Sequence, residues 1–252
     1  MSRGAREKSG SGIYHIMLRG INQQDIFEDD EDRQRFIKTL GRVKKETDIE
    51  IFAYCLMNNH IHLLIKEKNY EVSKIIKKIG TSYVYYFNWK NERSGHLFQD
   101  RYKSEVVESD EYLYTVIRYI HHNPVKAGLS GLADYKWSSY NNYIHKPGII
   151  DTELFLGMLS NEKEEAIKRY EGYMKQMNED KCLEMEEQIK LTDEKARESI
   201  KQLGSLAHIS DIQKLDVESR NRILRKTKEI KGISILQIHR VTGINRTTII
   251  KE

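Results

Sequence analysis

Two apolar runs, IEIFAYCLM and HIHLLIKE, meet across a single Asn58-Asn59 pair. β-rich runs separated by two turn-forming residues pair as an antiparallel hairpin, because asparagine tolerates the positive φ of a two-residue connection. The hairpin commits the chain to a sheet, and the flanking sequence must supply the strands and helices that cover it. Strand residues two apart share a face. His60 and His62 therefore project together, while Ile61, Leu63 and Ile65 project the other way. The isoleucine face is expected to be the main apolar one. The histidine face is expected to be solvated or hydrogen-bonded, or to hold a divalent metal, which paired imidazoles suit.

The flanks read as more of the same sheet and its helices. GIYHIMLRGIN is a strand. DDEDRQRFIKTLGRVKKETD opens on acidic residues and carries Phe36, Ile37, Leu40 and Val43 at helical spacing. EVSKIIKKIGTSYVYYFNWKN is a second helix, and GHLFQDRYKSEVVE is a loop leading into a strand. SDEYLYTVIRYIHHNP is a third helix with Ser109 as N-cap, and Pro124 biases Asn123 away from helical geometry and closes it there. The order β-α-β-β-α-β-α implies an α+β fold, with helices packed on an antiparallel sheet of the split βαβ kind.

Charge divides the chain into three. Residues 1–150 carry 23 Lys and Arg against 19 Asp and Glu; 151–209 carry 9 against 14; 210–252 carry 10 against 5. The first is read as the main domain, the second as an acidic helical linker region and the third as a basic module. Basic segments attract polyanions. In the last, SILQIHRVTGINRTTI has the shape of a helix-turn-helix: Ser234 caps one helix, Gly243 makes the turn, and Asn245, Arg246 and Thr247 open a second whose polar start faces duplex DNA. The basic start MSRGAREKSGSG has no apolar core after it and reads as a disordered arm rather than a secretory signal. No apolar run approaches the roughly 20 residues of a membrane span, and two unpaired cysteines suit a reduced, cytoplasmic setting.

A metal on His60 and His62 needs further ligands and something to act upon. Tyr119 and Asn123 are four apart on the third helix and so share a face. The amide oxygen of Asn123 suits a hard divalent ion, with the tyrosine one turn earlier beside whatever that ion polarises. His122 is an alternative ligand, and His121 falls off this face.

Together RGINQQDIFEDDEDRQRF, LMNNHIHLLI, GHLFQDRYKSEVVE and YLYTVIRYIHHNPVKAGL…YKWSSY resemble the single-tyrosine HUH transposases, and among these the REP-associated tyrosine transposases of bacteria. The likeness runs from Tyr14 to Tyr140. One position departs from it: the residue before the Asn-His pair, commonly proline in the family, is Asn58. The resemblance implies a ferredoxin-like catalytic domain in which His60, His62 and Asn123 bind Mg²⁺ or Mn²⁺ and Tyr119 is the nucleophile. It implies cleavage and rejoining of single-stranded, hairpin-forming DNA, such as repetitive extragenic palindromes, through a 5′-phosphotyrosine, by a monomer or homodimer. Arg19, Arg101, Lys103 and Lys126 lie in the resembling motifs as candidates for contacts to the DNA backbone. The competing function is a DNA-binding regulator that keeps this fold without the chemistry, and the presence of all four site residues argues for the enzyme.

Overall fold

In the computed structural model, which describes residues 6–176, 178–183, 191–230 and 232–252, β1 (Ile13–Arg19), α1 (Asp30–Thr47), β2 (Glu50–Leu56), β3 (His60–Lys66), α2 (Val72–Lys90), β4 (Lys103–Val106) and α3 (Asp110–Lys126) follow one another as the sequence pattern predicts. The strands form one sheet in the order β2-β3-β1-β4, with every neighbouring pair antiparallel. This is the split βαβ arrangement: β1 inserts between β3 and β4.

The hairpin forms, but not with the turn chemistry expected of it. Neither Asn58 nor Asn59 has a positive φ. Their carbonyls are instead spent on the loop after β1: Gly20 N–H donates to Asn59 O at 2.8 Å, and Ile26 N–H to Asn58 O at 2.8 Å. Gly20 is needed there, since a Cβ would lie 2.2 Å from Gln24 O. The Asn58 side chain accepts from Arg33 Nη2 at 2.6 Å. Arg33 sits in α1, whose start is pinned by a capping box between Asp29 and Asp32. The turn preceding His60 is thus held from two sides.

Both faces of the sheet are covered, which corrects the expectation of a single main apolar face. One face carries Ile16, Leu18, Ile61, Leu63 and Ile65, buried with Phe36, Leu40 and Val43 of α1 and Ile75, Ile79 and Tyr83 of α2. The other carries the histidines, and α3 crosses it with Leu113, Val116, Ile117 and Ile120 turned inward. The strand alternation is real, yet β3 is buried along Ile61–Ile65 irrespective of parity.

Pro124 does not end α3. The helix runs on to Lys126, with Ala127 N–H bonding Asn123 O at 3.0 Å and Gly128 following at φ 67°. A proline removes one N–H and crowds the carbonyl four residues back; the surrounding core tolerates that loss, and Asn123 stays helical.

The described chain divides into two units, Met1–Glu184 and Met185–Glu252, rather than at residues 150 and 209. The region read as a linker is shared between them. In the first unit, α4 (Tyr140–Ile144), α5 (Glu153–Leu159) and α6 (Lys163–Met174) complete the core, with Tyr143 stacked on Tyr170 at 4.7 Å. In the second, α7 (Asp193–Gly204), α8 (Val217–Glu229), α9 (Ile235–Thr242) and α10 (Arg246–Lys251) close on Ala196, Ile200, Leu224, Ile238 and Ile249. Ser234 and Asn245 cap α9 and α10 through Gln237 N–H and Thr247 N–H, and Gly243 turns between them at φ 72°. Residues 6–12 of the expected disordered arm are held: Arg6 donates to Tyr102 O at 2.8 Å, and the backbone of Gly10 and Ser11 donates to Glu108. Residues 1–5 of that arm and 184–190 of the expected linker lie outside the described residues. No described helix is long and apolar enough to cross a membrane, and Cys55 and Cys182 are free thiols.

Candidate active site

The register of β1 against β3 assembles the site. Arg19 lies opposite His60 and Met17 opposite His62, and directly opposed residues share a face. His15, two residues before Met17, therefore joins the histidine face. On the other side of β1, Glu105 of β4 lies opposite His15 and Lys103 opposite Met17. The ring centroids of His60 and His62 are 5.1 Å apart, and those of His15 and His62 are also 5.1 Å apart.

α3 lays Tyr119 across this array. Its ring centroid is 5.6 Å from that of His62 and 5.8 Å from that of His15, both edge-on. Asn123, one turn later, donates through Nδ2 to Tyr119 O at 2.8 Å. Its amide also hydrogen-bonds the His60 side chain. The four residues singled out by pattern thus converge, within one chain, from β3 and α3.

Burial makes the imidazoles neutral. His60 is pushed down to about 4, first by burial and then by the charge of Arg19, with the Asn123 bond acting the other way. His62 is held well below its ordinary value by burial and by His15 and His60. His15 is lowered by burial, opposed by Glu105. Neutral imidazole is the form that ligates a metal. Two such nitrogens and an amide oxygen fit Mg²⁺ or Mn²⁺ as a partial donor set, with open positions for phosphate oxygens and water. Among the described residues no group of three or more His, Cys, Asp or Glu side chains is arranged to hold a metal. An ion here would depend on Asn123.

The basic candidates separate. Lys126 Nζ lies 4.6 Å from the Tyr119 ring centroid and donates to Asp180 O at 2.8 Å. Arg19 adjoins His60, and its Nε is buried without a hydrogen bond. Lys103 shares the histidine face but two strands from β3, and Arg101 is exposed ahead of β4. Asn245, Arg246 and Thr247 belong to the second unit.

The rival side chains are engaged elsewhere. His122 Nε2 pairs with Met174 O at 2.7 Å, which takes it out of contention as a ligand. His121 is buried between Ser139 Oγ and the Tyr170 hydroxyl. Tyr114 packs on Phe155 at 4.8 Å, and Tyr140 on Tyr170 at 5.5 Å. Tyr112 hydrogen-bonds Glu105, and burial pushes its phenol up. Sequence reasoning passed over His15 and Glu105. The available signal was a third histidine inside an apolar strand, but only the register ties it to His62.

Residues 9–123 match the family described as IS200-like transposases. Through this segment the chain is similar to the IS200-like transposases. The matched stretch ends on Asn123 and spans the sheet, α1, α2 and most of α3, and the rest of the chain lies beyond it. Among solved structures, a REP-associated tyrosine transposase bound to a REP hairpin is similar at a TM-score of 0.50 and 17% identity, over 59% of this chain and 88% of that one. That likeness is one of fold. A candidate transposase from Deinococcus radiodurans R1 matches at a TM-score of 0.34 and 17% identity, over 48% of this chain and 95% of that one, too low to carry an argument. No curated protein matches the chain.

Proposed function

We propose that this protein is an IS200-like transposase, a metal-dependent single-stranded DNA endonuclease and strand transferase that acts on hairpin-forming DNA through a 5′-phosphotyrosine. The reading is supported above all by Tyr119 standing 5.6 Å, ring to ring, from the neutral His62, with Asn123 joining Tyr119 to His60. A core tyrosine has no need of that company. Mg²⁺ or Mn²⁺ held by His60, His62 and Asn123 would supply charge that polarises the scissile phosphate and offsets its developing negative charge.

The chain's own residues account for the rest. The Tyr119 hydroxyl forms the new bond to phosphorus as the bond to the 3′ oxygen breaks. DNA is left joined by its 5′ phosphate to tyrosine, and the departing oxygen takes up a proton as a free 3′-hydroxyl. Attack by a 3′-hydroxyl on that linkage rejoins a strand and restores the tyrosine. Lys126 and Arg19 stand at the site where a phosphodiester arrives. Tyr119 is 3% exposed, so admitting the strand requires side chains above its ring, Lys126 among them, to yield. Tyr119 adjoins the histidines of its own chain, which supports a site complete within one protomer.

The hairpin substrate is supported by the fold shared with the protein bound to a REP hairpin. For the second unit we propose duplex-DNA binding through Asn245, Arg246 and Thr247 at the start of α10, supported by the capped turn at Gly243 and by the basic charge of residues 210–252. The test is incubation of a labelled hairpin oligonucleotide with the protein and Mn²⁺, read on a denaturing gel. Cleavage with a covalent protein–DNA band is expected; binding without cleavage would leave a DNA-binding regulator.

A further inference from the structure

Two side chains beside the site have no part in that chemistry. His15 is 0% exposed, and its Nε2 lies 2.9 Å from His62 Nδ1. Its other nitrogen, Nδ1, is buried without a hydrogen bond, and Glu105 Oε2 stands 3.7 Å away. Glu105 is itself anchored: its Oε2 accepts from Leu183 N–H at 3.0 Å, and Tyr112 bonds it through its hydroxyl. Its side chain is 34% exposed on the edge strand.

We propose that Glu105 and His15 are positioning residues that set the tautomer of His62, and with it the nitrogen His62 turns to a divalent metal. The deduction runs along the chain of bonds. A carboxylate only accepts, so the single N–H of a neutral His15 belongs on Nδ1, facing Glu105. His15 Nε2 is then an acceptor. The 2.9 Å bond must be donated by His62 Nδ1–H, and His62 Nε2 keeps its lone pair. His60 reaches the same state by another route. Its Nδ1 lies 2.6 Å from Asn59 Oδ1, which only accepts, so the proton belongs on Nδ1 and Nε2 keeps its lone pair. Two unrelated partners thus impose one tautomer on two adjacent histidines. Metal-ligating histidines need such an orienting partner on the far nitrogen; packed core histidines do not need the same tautomer twice. The inference rests on the proposed metal role of His60 and His62.

The experiment uses the whole, metal-free protein with ¹⁵N-labelled histidine. Two-bond ¹H–¹⁵N correlations report which ring nitrogen is protonated, and Mn²⁺ affinity is read separately from the electron paramagnetic resonance of free Mn²⁺. In the wild type, His60 and His62 should both be protonated on Nδ1 and bare on Nε2. Glu105→Gln keeps the shape but lets the amide donate or accept. It should turn His62 into a mixture of tautomers, leave His60 unchanged, and weaken Mn²⁺ binding about 10-fold. His15→Phe should give the same selective change at His62; if that variant does not fold, the partly exposed Glu105→Gln still decides. Nε2 protonation of wild-type His62, or an unchanged His62 signal and Mn²⁺ affinity in Glu105→Gln, would overturn the assignment. Failure of the wild type to bind Mn²⁺ would defeat the metal site itself, while the signals of the metal-free protein decide the tautomer relay on their own.

Discussion

Replacing His60 or His62 by alanine should stop DNA cleavage in both cases, yet with unequal costs in stability. The two differ in burial: His62 is 1% exposed, while His60 is only half-buried at the mouth of the hairpin. His62→Ala removes a packed ring and strands His15 Nε2, whose partner it was. An orphaned buried polar atom costs about 1–3 kcal/mol. The cavity left by a large side chain adds about 2 kcal/mol. The sum, roughly 3–5 kcal/mol, is a large share of the ~5–15 kcal/mol by which domains are stable. His60→Ala loses its bonds to Asn59 and Asn123, whose places water can take at a half-buried position, and should cost no more than about 1 kcal/mol. Urea unfolding of both variants, with cleavage assayed at saturating Mn²⁺, separates the cases. Equal midpoints would refute the burial argument, and normal cleavage by His60→Ala would refute the metal role. His60→Ala is accordingly the cleaner probe of chemistry.

Tyr119→Phe keeps the ring between His15, His62 and Lys126, so stability should change by no more than about 1 kcal/mol, the worth of one hydrogen bond, while the covalent DNA species disappears; peptide mapping of the wild-type adduct that found DNA on Tyr112, Tyr114 or Tyr140 would overturn the assignment. Acid should destabilise the fold before carboxylates titrate. His15, His60, His62 and His121 are all depressed chiefly by burial, His60 to about 4 and His121 to about 3. Between about pH 6.5 and those values the unfolded chain binds protons that the folded one refuses, so stability rises with pH there by about 1.4 kcal/mol per unit per histidine. A urea midpoint that stays flat between pH 7 and 5 contradicts this. Deleting residues 185–252 removes 14 Lys and Arg against 10 Asp and Glu, and should weaken duplex binding and flatten its salt dependence while sparing cleavage of a minimal hairpin. An unchanged salt profile would give that unit a different partner.

What the amino-acid sequence determined by itself was whatever depends on local periodicity. Strand alternation put His60 and His62 on one face, helical spacing put Tyr119 over Asn123, and Ser109, Ser234 and Asn245 marked helix starts because a side-chain oxygen must meet an unpaired N–H close by. What only the tertiary structure decided was whatever depends on groups far apart in the chain. The insertion of β1 between β3 and β4 brings His15 to His62 and Glu105 to His15, across separations of 47 and 90 residues that no local pattern encodes. Packing on both faces buries the histidine side of β3 as well as the isoleucine side. It carries α3 through Pro124, and the Gly20 loop together with Arg33 holds the Asn58-Asn59 turn without positive φ. The same holds for the unit boundary: α6 and α7 look alike in composition, and they part company because Tyr170 completes one core and Ile200 another. Propensity and spacing act over a few residues, whereas burial and register are settled only when distant segments close on each other.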